Sequence, residues 1–142
     1  MIPDLRIVKF QGWHLTALLA QGAPAEGSVF APPDRIAPLE NENSWTALVG
    51  VRPIACGGTM QFWPGRHLAW AYLARGCGPY MRGLTKAARD VLALAAGRLE
   101  ADIRVDFRAG QRWAKRLGFV VETPLKRAFG PDGADYIGMA RV

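Results

Sequence analysis

The chain has 142 residues, enough for one domain with a sizeable core and too few for two ordinary ones. Half of the residues are hydrophobic and 21% are charged, which excludes a disordered chain, and no apolar run approaches the ~20 residues that span a bilayer. With 18 Lys and Arg against 12 Asp and Glu, the formal charge of +6 favours an anionic partner: nucleic acid, an acidic protein or a phosphorylated small molecule.

The segment from Met1 to Phe10 carries Asp4, Arg6 and Lys9, so it lacks the apolar stretch of a signal peptide, and a cytoplasmic location is expected. Leu5 to Phe10 reads as a first strand, and Trp13 to Ala20 as a short apolar helix. Gln21 to Pro38 is the loosest stretch, a long loop with at most a short helix near Asp34 to Glu40. Trp45 to Val49 is a strand, turned by Gly50-Val51-Arg52-Pro53 into another at Ile54 to Phe62. Gly57-Gly58 inside that second strand predicts a bulge or a close backbone approach. After the Pro64-Gly65 turn, His67 to Leu73 is largely apolar, as expected of a central strand covered on both faces.

Gly76-Cys77-Gly78-Pro79 breaks the chain, and Pro79 suits the first position of a helix. Tyr80 to Ala96 has apolar residues at helical spacing, including Leu84, Ala88, Val91 and Ala95, with Gly97 as its C-cap. Leu99, Ala101, Ile103, Val105 and Phe107 then alternate with Arg98, Glu100, Asp102, Arg104 and Asp106, a strand with one wet face. Ala109 to Leu117 is a short helix stopped by Gly118. Phe119 to Phe129 and Tyr136 to Val142 form a C-terminal hairpin around Gly130-Pro131-Asp132-Gly133. The fold class is α+β (mixed α/β): one mostly antiparallel sheet with helices on both faces. A helical crossover of this length joins parallel neighbours, so the strands His67–Leu73 and Arg98–Asp106 should run parallel. Trp70, Leu84, Val91, Ile103, Trp113, Leu117 and Phe119 are the expected core around that crossover.

The order of elements, together with the run from Ala109 to Phe119, resembles the GNAT superfamily of acyl-CoA N-acyltransferases. The resemblance covers about Trp45 to Val142, and its best anchor is the Gly118-Phe119 pair ending the short helix. A narrower likeness, over Ile54 to Gly58, Pro64-Gly65, Trp70, Arg112-Trp113 and Pro131 to Asp135, is to small acetyltransferase-like proteins of bacteriophages, some carried inside the virion.

The resemblance implies an acetyl-CoA pyrophosphate bound where a strand meets the N-terminus of the long helix, in a pattern of Gln or Arg, two residues, Gly, one residue, then Gly or Ala. Unpaired N–H groups and the helix dipole favour phosphate there. The matching segment is Arg75-Gly76-Cys77-Gly78-Pro79-Tyr80: Arg75 and Gly78 fit, whereas Tyr80 stands where a small residue belongs and Pro79 removes a donor. Candidate cofactor contacts are therefore Arg75, Gly76, Gly78, Tyr80, Met81 and Arg82, with Lys86 and Arg89 continuing a basic stripe. An ordinary turn and an ordinary solvated face explain the same residues.

The tyrosine that usually protonates the leaving thiolate in this superfamily falls at Ala114, which leaves Tyr80 or Tyr72 as substitutes. His67 is the candidate general base, against the reading of a partly exposed histidine at a strand end. Cys77 lies at a helix N-terminus, where thiol pKa tends to fall, but has no evident histidine partner. Neither it nor Cys56 sits in a CxxC pair, and with only His14 and His67 beside them no metal site is expected. Trp113 reads as a core anchor and Trp63 as partly exposed.

Two function classes follow. One is an acetyltransferase-like enzyme that moves acetyl from acetyl-CoA to a small-molecule or protein amine. The other is a non-catalytic module on the same fold, in contact with other structural proteins of a phage particle. Basic charge and aromatic residues are compatible with nucleic-acid contact in either case.

Overall fold

The computed structural model describes residues 4–21, 37–130 and 132–142. Its elements in chain order are β1 (Leu5–Lys9), α1 (Gly12–Ala20), a 3-10 turn (Ala37–Leu39), β2 (Ser44–Val49), β3 (Arg52–Trp63) and β4 (Arg66–Leu73). A second 3-10 turn (Gly78–Tyr80) leads into α2 (Met81–Leu92), followed by β5 (Arg98–Arg104), α3 (Arg108–Arg116), β6 (Val120–Lys126) and β7 (Tyr136–Arg141). Most of the predicted loop from Gln21 to Pro38, and Pro131 of the hairpin, lie outside the described residues.

The seven strands form one sheet in the order β1-β2-β3-β4-β5-β7-β6. Every neighbouring pair is antiparallel except β4 and β5, which run parallel as the helical crossover requires. Their ladder is short: it pairs Arg66 with Arg98, His67 with Leu99 and Leu68 with Glu100, and then ends. Both strands run on for several residues without pairing to each other, so the sheet divides toward their C-terminal ends. Thr46 Oγ1 lies 2.8 Å from His14 Nδ1 of α1, while the adjacent Trp45 shares a cavity wall with Ala88 and Leu92 of α2. Successive strand residues point to opposite faces, so α1 and α2 cover alternate faces of β2.

Five of the seven expected core residues are buried: Trp70, Leu84, Ile103, Leu117 and Phe119. Val91 and Trp113 are half-buried, because both face a space under the helices rather than solid core. Trp63 is exposed, as its position beside Pro64 implies. Gly57-Gly58 serves close approach, not a bulge. A Cβ on Gly57 would stand 2.9 Å from the Trp70 carbonyl oxygen, and one on Gly58 2.5 Å from the Asn43 oxygen. The bulges fall elsewhere, between Ala47 and Leu48 and between Gln61 and Trp63, and the first lets β3 begin at Arg52 and absorb Pro53.

The long helix is shorter at both ends than its periodicity predicts. Pro79 initiates a 3-10 turn, and α2 proper starts at Met81. At the other end the apolar periodicity outlasts the burial: Leu94 is exposed, and the chain leaves the helix after Leu92 through turns from Leu94 N–H to Val91 O and from Ala95 N–H to Leu92 O. Gly97 is consequently not the C-cap. With φ at +92°, it carries the chain past Gly65, whose carbonyl accepts the Arg98 N–H at 2.7 Å. Gly118 does end α3 with a positive φ, and Phe119 is buried behind it.

Candidate functional site

The divided sheet and the two helices that follow each parallel strand enclose two connected spaces. The outer one is a groove of about 630 Å3 between the start of α2 and α3. Leu73, Ala74, Arg75, Cys77 and Gly78 form its near end where β4 runs out, and Phe107, Ala109 and Gly110 form the facing wall. Five arginines line it: Arg75 before the helix, Arg82 and Arg89 on one face of α2, Arg112 and Arg116 on one face of α3. No carboxylate lines the groove among the described residues, and none of the five is in an ion pair there. Spacings of seven and four place each helical pair on a single face.

The inner space is an apolar cavity of about 70 Å3, held between the parting strands β4 and β5 and the undersides of α2 and α3. Gly110 and Trp113 line both spaces. Trp113 Nε1 donates to Thr85 Oγ1 at 2.9 Å, and that hydroxyl donates to the Met81 carbonyl at 2.6 Å. The indole therefore bridges α3 to α2 and stands as a partition between groove and cavity. It is a positioned partition rather than the plain core anchor that its helical spacing predicts.

The candidate contacts separate in the structure. Arg75, Gly78, Met81 and Arg82 come together on the groove, whereas Gly76 and Tyr80 do not line it. Gly76 has φ at +80° and supplies the turn between β4 and the helix. Tyr80 is half-buried against the core, so its bulk does not occupy the groove. Lys86 leaves the predicted stripe and pairs with Asp90 one turn on, at 2.8 Å on the solvated side. Arg112 and Arg116, which the basic pattern of α2 alone does not reveal, take its place. Their four-residue spacing was visible, but only the tertiary position of α3 aims them at α2.

His67 lines neither space. It lies at the first rungs of β4, paired with Gln61 and Leu99, and is buried rather than partly exposed. Its Nδ1 has no hydrogen-bond partner among the described residues. Six residues of strand, ~20 Å at the usual rise, separate it from Leu73 at the groove. Tyr72 is buried beside Trp70 and is likewise absent from the lining. Cys77 does line the groove, but burial pushes its thiol up from the ordinary value, opposite to the shift expected of a thiol at a helix N-terminus. Its sulfur lies 3.9 Å from Met81 Sδ, a soft contact that offers no base. Ala114, where a tyrosine was expected, is buried in the wall of the inner cavity.

On the opposite side of the parallel seam, charge is neutralised locally. Glu100 accepts from Arg66 Nε at 2.5 Å and from Arg98 Nε at 2.8 Å, and Arg98 also clasps Glu122 on β6. Arg66 first, then Arg98, hold the Glu100 carboxyl down to about 2. Lys126 pairs with Asp102 at 2.7 Å, and Arg104 with Asp106 and Asp132. These contacts account for the alternating charges of β5 as a structural face.

No protein-family model and no curated protein sequence matches the chain. Solved structures do. The chain is similar to the protein Ard1 from Thermoplasma volcanium, with a TM-score of 0.77 at 14% identity over 96% of each chain. It is similar to the ribosomal-protein-S18-alanine N-acetyltransferase from Escherichia coli, with a TM-score of 0.69 at 17% identity over 96% of this chain and 92% of that one. It also matches an acetyltransferase of the GNAT family from Streptococcus pneumoniae, with a TM-score of 0.67 at 10% identity over 97% and 98%. Full-length agreement, with the seven-stranded sheet and the three α-helices of the described residues, gives this chain the GNAT acetyltransferase fold.

Proposed function

We propose that the protein is an acyl-CoA-dependent N-acyltransferase whose outer groove holds the phosphates of coenzyme A, acetyl-CoA being the simplest donor. The observation that carries the reading is the set of five arginines around a groove with no carboxylate among the described residues. Five guanidinium groups facing one another repel, and a fold keeps such a set where an anion neutralises it. Coenzyme A brings several phosphate charges on one elongated molecule. Arg75 and Arg82 flank the start of α2, where the Gly78 N–H and the helix dipole also favour phosphate. Arg89, Arg112 and Arg116 extend the positive wall along both helices, and bidentate guanidinium contacts suit phosphate oxygens.

The donor supplies a thioester: an amine lone pair adds to its carbonyl carbon, the C–S bond breaks as the C–N bond stands, the amine loses one proton to water and the departing sulfur takes one up. The chain's own contribution is position and dryness. The parting of β4 from β5 opens a slot into the sheet beside the groove, and Trp113 screens it from solvent. Thr85 is committed to Met81 and Trp113, and Cys77 is held in its thiol form, so the amine's proton leaves to water on the open groove side, while the inner slot alone stays dry.

A thermal-shift measurement with acetyl-CoA tests the reading. Ligand at ~100 times its dissociation constant stabilises by about 2.7 kcal/mol, and no shift at millimolar ligand contradicts it. A second reading, a non-catalytic interaction module on the same fold, is favoured by Ala114 and by a lining without carboxylate or histidine among the described residues. Binding of acetyl-CoA without release of free thiol, across a panel of amines, selects that reading.

A further inference from the structure

The inner cavity is built differently from the rest of the core. Five alanines stand in its wall among larger apolar side chains: Ala69 and Ala71 from β4, Ala101 from β5, Ala88 from α2 and Ala114 from α3. Ala69, Ala88, Ala101 and Ala114 each keep 6–9% exposure, whereas Ala47 and Ala55 in the closed part of the sheet have 0%. The cavity abuts the arginine groove, and Gly110 and Trp113 line both. An apolar void forfeits packing contacts and lowers stability, so an alanine-walled space joined to a binding groove is a site rather than a filled core.

We propose that this cavity is an acyl pocket, and that the donor is an acyl-CoA with an apolar chain longer than acetyl, of about butanoyl length. The inference rests on the reading of the groove given above and narrows its substrate class. Size sets the length. A dry cavity of about 150 Å3 takes the six carbons of benzene, so about 70 Å3 takes about three: the two methylenes and the methyl of a butanoyl group. Position sets the direction. With phosphates at the start of α2, a ligand running down the groove meets Trp113 and Gly110, and the space beyond them lies between the parted edges of β4 and β5. The lining offers no charged side chain among the described residues, which favours a hydrocarbon tail over a carboxylated or aminated one.

Titration calorimetry of the full chain with CoA, acetyl-CoA and butanoyl-CoA tests this. Burial of two further methylenes predicts butanoyl-CoA bound about tenfold more tightly than acetyl-CoA. Ala114→Leu from the helix side and Ala101→Val from the strand side each fill the pocket. Each should abolish the preference while leaving the affinity for CoA itself unchanged. Circular dichroism identifies a variant that fails to fold, and the other then carries the test, with the wild-type comparison decisive alone. Equal affinity for the two donors, tighter binding of acetyl-CoA, or a preference that survives both substitutions overturns the acyl pocket. Failure of CoA itself to bind overturns the groove reading instead, and the pocket with it.

Discussion

Two sets of arginines, one on either side of the parallel seam, have opposite surroundings. Arg66, Arg98 and Arg104 each meet at least one carboxylate within hydrogen-bond distance, and Glu100 joins two of them across β4 and β5. Arg75, Arg82, Arg89, Arg112 and Arg116 meet none among the described residues, although they crowd one groove. In the first set, Arg66 and Arg98 tie strands together where the sheet is continuous, and Arg104 ties the end of β5 to the C-terminal hairpin loop. The second lines the place where the sheet comes apart. The same side chain is thus structural where its charge is answered within the fold and, on the function proposed above, a binding group where it is not. Net charge, which counts both sets alike, does not distinguish them.

The largest effect that can break this comparison is on stability. Glu100→Ala leaves Arg66 and Arg98 without their shared acceptor and should cost about 1–2 kcal/mol in urea unfolding, with affinity for CoA unchanged. Arg82→Ala should behave in reverse: CoA affinity falls about tenfold, while the melting temperature of the free protein is unchanged or rises as repulsion is relieved. If both substitutions act on stability alone, the two sets are alike and the groove is only surface.

pH separates the sets further. The folded Glu100 carboxyl sits at about 2, below its ordinary value of 4.5, so its ion pairs contribute full stability above pH 4.5 and lose it as pH falls toward 2. His14 adds an earlier loss: burial lowers its pKa, so charging the imidazole disfavours the folded state and stability declines as pH falls below the ordinary value of 6.5. Substitution of the groove arginines, which answer no carboxylate among the described residues, should leave acid unfolding unchanged. Urea unfolding from pH 7 to 3 on Glu100→Gln and Arg82→Ala checks both signs, and the Glu100→Gln curve should be the flatter below pH 4.5.

Smaller effects sharpen the account within the groove. Trp113→Phe removes the bond to Thr85 and should cost about 1 kcal/mol while widening access to the inner cavity. Tyr80→Ala should leave CoA affinity within about twofold of wild type, because Tyr80 does not line the groove. Lys86→Ala should change neither affinity nor stability by more than about 0.5 kcal/mol, since an exposed pair one helical turn apart contributes little.

Much of this was readable along the chain because it is encoded locally. The alternation from Leu99 to Ile103 fixes a strand with one wet face, and Gly118-Phe119 fixes the end of α3. The helix between β4 and β5 requires their parallel course. Arg75 and Arg82 were legible for the same reason, one on each side of a helix start. What escaped depends on distant contacts. Periodicity continues to Ala96, but the partners of α2 do not, so the helix stops at Leu92. Gly97 looks like a cap and is instead the point where the chain passes Gly65. His67 is the most chemically suggestive residue of its strand, yet strand length carries it away from the groove. The roles of Arg112, Arg116 and the alanine walls appear only when α3 is laid against α2.

The central claim is that the unanswered arginines hold the phosphates of coenzyme A. Its most direct test is calorimetric titration of CoA and of pantetheine, which has the same thiol arm without phosphate, into wild type and into Arg75→Ala/Arg82→Ala. The account predicts one saturable site for CoA that weakens with added salt, binding of pantetheine at least a hundredfold weaker, and a double variant that treats the two ligands almost alike. Equal binding of CoA and pantetheine to wild type, or CoA affinity unmoved by the double substitution, would contradict it.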